Sequence, residues 1–261
     1  MLYLDESLKS CFRADAPLFD QLMALQGECF RDLEGRKTMR VTLGGNAYFI
    51  KQHRGVGYRE IFKNLIQLKW PVISARNEWR ALQTLQQLGL PVPRVAGFGE
   101  RGLNPAHRES FILMEALAPV KSLEELCADW RTVPPDSVMK RKLIQEVARM
   151  ARIMHQHGIN HRDFYICHFL LDQAHQGNLP RLFLIDLHRA QMRAQVPERW
   201  LIKDLAGLYF SSLDAGLTLR DHYRFMKHYR KMPLRDILRH EKEFWMKVKK
   251  RGDDLYHDHA K

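Results

Sequence analysis

Cysteine is scarce in this chain. Four occur in 261 residues, Cys11, Cys29, Cys127 and Cys167, far apart and without paired metal-ligand spacing. That pattern excludes a disulfide-stapled scaffold and a zinc ribbon, and it suits free thiols in a reducing compartment. No uninterrupted apolar run approaches the ~20 residues that a membrane-spanning helix requires. The start, Met1-Leu2-Tyr3-Leu4-Asp5-Glu6, has neither the basic segment nor the apolar core of a secretory leader, so a cytoplasmic location is expected. Repeats and low-complexity tracts are absent, which argues against solenoids and disordered arrays. There is no G-x-G-x-x-G phosphate loop. Acidic residues are in deficit: 30 Asp and Glu face 42 Lys and Arg, a formal net charge of +12. Such an excess favours nucleic acid, an anionic membrane face or an acidic protein, and charge alone does not choose among them. No nucleic-acid fold motif accompanies it, so nucleic acid is not an expected partner.

What is present points to phosphoryl transfer. His161-Arg162-Asp163 is followed by Phe164-Tyr165-Ile166-Cys167-His168 and the apolar Phe169-Leu170-Leu171; an apolar run, Leu182 to Ile185, then ends in Asp186. The order matches a kinase catalytic loop followed by a metal-binding aspartate. Asp163 is placed to accept a proton from an attacking hydroxyl. Asp186 offers the hard oxygen ligand that Mg²⁺ prefers. Upstream, Thr38 to Leu43 alternates as a strand, Gly44-Gly45-Asn46 signals a hairpin turn, and Tyr48-Phe49-Ile50-Lys51 reads as the returning strand. Lys51 stands where kinases keep the lysine that steadies ATP phosphates. A helix is expected from a cap at Ser74 to Gly89, and Glu78 is its best-placed acid for an ion pair with Lys51. Any one of these residues alone has a bland reading, a solvated lysine or a helix-dipole acid. The ordered set does not.

The stretch from Gly158 through Asp172, with Ile185-Asp186-Leu187-His188-Arg189-Ala190-Gln191 and Lys203-Asp204-Leu205-Ala206-Gly207-Leu208, resembles the lipopolysaccharide core heptose(I) kinase family, often called WaaP or RfaP. The resemblance runs over nearly the whole chain, from Leu25 to Leu238. It implies an α+β, bilobal protein-kinase-like fold: an N-lobe over 1–117 with an antiparallel sheet and a helix of the αC type, and a mainly helical C-lobe over 118–261. It further implies an ATP-dependent enzyme whose acceptor is the first heptose of the inner core, with Asp163 and Asp186 in the catalytic and metal roles. Departures from the general kinase pattern bear on mechanism. His168 stands where a second Mg²⁺ would be held by asparagine, a poor exchange for a hard cation that puts two-metal catalysis in doubt. His188 and Leu187 replace the Gly and Phe of the usual Asp-Phe-Gly element.

Further expectations follow. The turn before Thr38 reads as Glu34-Gly35-Arg36-Lys37, with one glycine and two cations, and Arg36 and Lys37 there are candidates for holding phosphate by charge. Phe111 to Leu117 reads as a buried strand running into a hinge whose backbone at Glu115 and Leu117 would meet adenine. Strands are also expected near 27–33, 47–53 and 94–99. Ser122 caps a short helix, and Leu143, Val147, Met150 and Met154 mark the core face of a long one ending near Gly158. Asp204 is expected to brace the catalytic loop through its backbone or through Arg162. Tyr165, Arg189 and Arg193 are candidates for the acceptor's anionic groups, and Cys167 reads as a structural thiol. The amphipathic Arg59 to Trp70 segment, and Phe244, Trp245 and Val248 among Lys242, Lys247, Lys249, Lys250 and Arg251, suit peripheral contact with an anionic inner-membrane surface. The excess charge also leaves room for a small acidic protein, such as an acyl carrier protein. Other inner-core sugars, protein hydroxyls, or a nucleotide-binding scaffold without turnover remain open alternatives on the motifs alone.

Overall fold

The Gly44-Gly45 turn shows how the first sheet is built. Both glycines have positive φ, 55° and 82°, which a two-residue hairpin loop of the type I′ kind demands, and Leu43 pairs directly with Asn46 across it. The hairpin joins strands β3 (Arg36–Leu43) and β4 (Asn46–Arg54), within a computed structural model that describes residues 1–33, 35–55, 57–58 and 74–259. The amphipathic segment Arg59 to Trp70 therefore lies outside the described residues.

The chain forms two compact units, residues 1–84 with 93–117, and residues 85–92 with 118–261. The first carries β1 (Leu2–Leu4), α1 (Glu6–Lys9), α2 (Leu18–Met23), β2 (Glu28–Leu33), β3, β4, α3 (Arg76–Gln87, whose last turn belongs to the second unit), β5 (Val95–Arg101) and β6 (Glu109–Glu115). Its six strands are ordered β1-β5-β6-β4-β3-β2, each pair antiparallel. Alternation along β3 sends Met39, Val41 and Leu43 to one face, where they join Tyr48 and Ile50 of β4 and the α1 and α2 side chains Leu8, Phe19 and Leu22. Burying each such side chain contributes ~1.5–3 kcal/mol. On the opposite face α3 packs, with Trp79 stacked on Phe98 at 4.4 Å between centroids. Covered on both sides, β6 reads as a continuous apolar run, Phe111-Ile112-Leu113-Met114.

The second unit holds β7 (Val120–Ser122), α4 (Leu123–Cys127), α5 (Ser137–Gln156), β8 (Ile159–Asn160), β9 (Phe169–Asp172), β10 (Leu182–Leu184), β11 (Gln191–Met192), α6 (Glu198–Ser212), α7 (Leu219–Arg230), α8 (Leu234–His240) and α9 (Lys242–His259). Ser122 starts α4 with the expected cap, a capping box in which Ser122 Oγ accepts the Glu125 N–H and Glu125 returns the bond. Leu143, Val147, Met150 and Met154 of α5 are all buried. Gly158 follows with φ 75°, where a Cβ would stand 1.7 Å from the Arg193 carbonyl oxygen, so only glycine lets β8 and β11 pair so tightly. Two short antiparallel ladders, β10-β9-β7 and β11-β8, frame the segment from His161 to His168. Among the described residues no helix is long and apolar enough to cross a membrane.

Candidate active site

In the first unit the strand period decides where Lys51 points. Ile50 and Gln52 face the α1–α2 side, so Lys51 between them faces α3. There its Nζ meets Glu78 Oε1 at 2.7 Å, with Glu78 only 2 % exposed. Ser74 Oγ accepts the Arg76 N–H at 3.1 Å and so starts α3 one turn before that glutamate. The expected pair is therefore formed. Arg36 and Lys37 differ from expectation: they are ladder residues of β3, opposite His53 and Gln52, rather than part of the turn. The pairing of Leu33 with Arg36 across the ladder absorbs them into the strand. Glu115, at the end of β6, binds Arg94 through its carboxylate (2.5 Å) and donates its N–H to the Arg94 carbonyl (2.9 Å). Any adenine contact from Glu115 would use its carbonyl oxygen. Leu117 is the last residue of this unit.

In the second unit, Asp204 of α6 organises the catalytic-loop segment. Fully buried, it accepts the backbone N–H of His161 at 2.6 Å and of Arg162 at 2.8 Å, and His155 Nε2 lies 3.3 Å away. Its contact with the loop is through the backbone, the first of the two routes expected. Arg162 is held at φ 76°, a conformation that costs a non-glycine residue ~1–3 kcal/mol, and the bonds to Asp204 hold it there. His161 is fully buried; its Nε2–H donates to the Ile185 carbonyl at 3.0 Å, and burial pushes its pKa below the ordinary histidine value.

Asp163 follows, with both carboxylate oxygens gripped by Arg189 Nη1 at 2.9 and 3.1 Å. The sequence does not reveal this ion pair, because its partners lie on different loops. His168 Nδ1 donates to the Asp163 carbonyl oxygen (2.7 Å), so in the neutral ring Nε2 keeps its lone pair, 3.8 Å from Asp186 Oδ2. Asp186 adopts a left-handed backbone, φ 62° and ψ 51°, and its Oδ1 takes a 2.8 Å bond from His188 Nδ1. His161, Asp163, His168, Asp186, His188 and Arg189 thus form one connected cluster.

The remaining candidates separate. Tyr165 packs against His168 and Phe210, half-buried, and burial followed by the Asp163 charge raises its phenol above the usual value. Arg193 is spent on Asn160 Oδ1 (2.8 Å) and Gln191 Oε1 (2.7 Å), which ties the β8–β11 ladder. Burial pushes the Cys167 thiol up to about 11, so it is protonated and a poor nucleophile. No group of three or more His, Cys, Asp or Glu among the described residues could hold a metal ion. Asp186 offers a single carboxylate, with His188 and His168 beside it, a donor set that fits a Mg²⁺ whose remaining ligands are phosphate oxygens and water and does not fit a metal that needs an all-protein cage.

In α9, Val248 and Gly252 are buried, and Gly252 lies so close to α6 that a Cβ would stand 2.4 Å from the Tyr209 ring. Phe244 and Trp245 pack around Arg230 and Tyr229. The apolar side of the C-terminal helix is thus turned onto protein.

A model of the lipopolysaccharide kinase (Kdo/WaaP) family matches residues 20–229. The lipopolysaccharide core heptose(I) kinase WaaP of Escherichia coli is 51 % identical over 243 residues, covering 92 % of this chain and 91 % of its own. The protein of the same name from Pseudomonas aeruginosa is 48 % identical over 257 residues, covering 98 % and 96 %. A solved structure described as WaaP in complex with acyl carrier protein superposes with a TM-score of 0.84 at 43 % identity, over 98 % of this chain and 99 % of that one. With its protein-kinase-like α+β fold, the chain belongs to the lipopolysaccharide kinase (Kdo/WaaP) family.

Proposed function

We propose that the chain uses ATP to phosphorylate the first heptose of the lipopolysaccharide inner core. The observation that carries this reading is identity near one half, over nearly the full length, to two proteins named for that activity. The site chemistry agrees with it. Lys51, steadied by Glu78, is placed to hold ATP phosphates, with Arg36 and Lys37 adding charge from β3 and the backbone of Glu115 and Leu117 receiving adenine. Asp163 orients the heptose hydroxyl and takes its proton, while Arg189 fixes the carboxylate that must do so. A Mg²⁺ held through Asp186 would neutralise charge on the phosphate oxygens. His168 orders Asp163 through its carbonyl oxygen, a role that does not require it to bind a second metal. Tyr165 and Arg189 border the acceptor's place beside Asp163.

The acceptor is lipid-linked, which favours action at the cytoplasmic face of the inner membrane. The exposed cations of α9 suit that surface. A small acidic protein is the second partner: the neighbouring solved structure is described as bound to acyl carrier protein. A cavity of about 360 Å³ in the second unit, lined by Leu143, Val147, Leu208, Met226 and Trp245 among others, has the apolar chemistry that an acyl chain requires.

The test is to incubate the protein with labelled ATP and core lipopolysaccharide stripped of phosphate, then to locate the new phosphate by mass spectrometry. Phosphate on the first heptose is the expected result. Exclusive labelling of another sugar, or of protein, would replace this reading with one of the alternatives.

A further inference from the structure

Four cations surround one indole beside the loop that carries Asp163. From the centre of the Trp200 ring, Arg162 Cζ lies at 5.2 Å, Arg199 Cζ at 5.4 Å, Lys203 Nζ at 5.5 Å and Arg193 Cζ at 5.9 Å. Arg199 and Arg193 are exposed, so water compensates their charge. Arg162 and Lys203 are different. Arg162 is only 9 % exposed, yet among the described residues its guanidinium has no carboxylate within ion-pair distance, and its buried Nε has no hydrogen-bond partner. Arginine so deeply buried is nearly always paired. Lys203, half-buried on α6, also has no ion-pair partner among the described residues.

The nearby acids are committed elsewhere. Both oxygens of Asp204 accept backbone N–H groups, Asp163 is matched by Arg189, and Glu198, one turn earlier on α6, pairs with Lys247 at 2.9 Å. The electrostatic consequence is visible in both cations. Burial, then the charge of Arg189, lowers the Arg162 pKa; burial, then Arg162 and Arg189, lowers that of Lys203. One indole has two faces and cannot offset this charge by cation–π attraction alone. Arg162 and Lys203 meet the same indole and are near enough for the arginine charge to act on the lysine, and a guanidinium fork beside an ammonium offers the donors that bind a phosphate or carboxylate group.

We propose that Arg162 and Lys203, beside Trp200, form an oxyanion subsite that takes an anionic substituent, phosphate or carboxylate, on the acceptor next to the sugar being phosphorylated. It rests on the reading of Asp163 as the base toward a sugar acceptor and adds to that reading a requirement for charge beside the reacting hydroxyl. The subsite would make the enzyme select for acceptors already carrying an anion, and Lys203 would be a specificity-determining residue.

The experiment has two arms, so that the subsite and the activity are judged separately. In the first, thermal unfolding is followed in chloride and in inorganic phosphate at equal ionic strength, with a non-hydrolysable ATP analogue and Mg²⁺ occupying the nucleotide site. Phosphate should raise the Tm of the wild type and of Lys203→Arg, and raise that of Lys203→Met less than half as much. In chloride Lys203→Met should be at least as stable as the wild type, because one of two crowded like charges has gone. A lower Tm for Lys203→Met with an unchanged phosphate response would mean that Lys203 only packs on the indole, and would overturn the proposal. In the second arm, Lys203→Met should raise the KM for a heptose acceptor bearing neighbouring anionic groups about tenfold, ~1.4 kcal/mol, and leave the KM for ATP alone. Lys203→Arg should recover most of that loss, and an acceptor without those groups should show no difference between variants. Equal losses on both acceptors, or a raised KM for ATP, would count against the subsite. If the wild type transfers no phosphate to heptose, the functional reading fails, and the phosphate response of the first arm still decides whether the subsite exists.

Discussion

Arg162, next to the cluster, and Asp186, within it, hold left-handed backbone conformations that side chains other than glycine rarely adopt. Each sits where a carboxylate of the proposed site is aimed: Arg162 immediately before Asp163, and Asp186 itself. Arg162 is supported by Asp204, whose two oxygens accept the backbone N–H groups of His161 and Arg162. The His161 ring completes the support by reaching the Ile185 carbonyl, so it couples the loop at 163 to the turn at 186. That imidazole must stay neutral. Its pKa is pushed below the unfolded value near 6.5, so between the two values the unfolded chain binds more protons than the folded one, and stability rises with pH there. His222 and His228, also lowered chiefly by burial, add the same sign. Urea midpoints should therefore fall as the pH drops from 8 to 5.5, and fall less steeply in His161→Gln. A flat profile in the wild type would contradict the burial argument. At this scale the sequence was partly legible. Asp163, Asp186 and the bracing Asp204 sit in short local patterns, so they could be read directly. The Arg189 grip on Asp163 and the approach of Arg162 to Trp200 join residues 26 and 38 positions apart, and no periodicity encodes such contacts.

At the scale of elements, alternation along β4 is what converts a surface-type residue into a site residue. Moving Lys51 by one position would send it to the α1–α2 core. Glu78 is almost wholly buried and relies on Lys51 for its charge balance. Lys51→Met should then destabilise the protein by about 3 kcal/mol, while the double variant Lys51→Met with Glu78→Leu should recover most of that, because no charge is left stranded. Denaturant titration of the three proteins measures it; a double variant no more stable than Lys51→Met would show that the pair is not electrostatically coupled. The strands from β2 to β6 and the helices α3 and α5 were legible because hairpin turns and long apolar stripes mark them. β1, α1 and α2 were not: they are 3, 4 and 6 residues long, too short for a period to show, and β1 is stabilised by pairing with β5 more than 90 positions away. Arg36 and Lys37 were read as turn residues for a similar reason, since the register that absorbs them into β3 is set by Leu33 across the ladder.

At the scale of the molecule, charge and apolar surface have separate uses. The apolar residues Val248, Phe244 and Trp245 of α9 pack against α6 and α7, whereas Lys250 and Arg251 face outward beside Lys247, paired with Glu198, and Lys249, paired with Asp253. Membrane attraction from this helix would thus be electrostatic, on the order of 1 kcal/mol per cation. Neutralising Lys247, Lys249 and Lys250 together should weaken binding to vesicles containing anionic lipid at low salt, as read by sedimentation; unchanged binding would remove α9 from the membrane contact. Net charge was legible from composition, but its distribution was not, because ion pairing depends on which helices meet. The most direct measurement of the central claim is single-turnover transfer from labelled ATP to phosphate-stripped core lipopolysaccharide by wild type and Asp163→Asn, with ATP affinity measured alongside. The account predicts a loss of at least about 100-fold in the transfer rate with nucleotide affinity unchanged. Transfer within a few-fold of the wild type would show that Asp163 is not the base and would contradict the account.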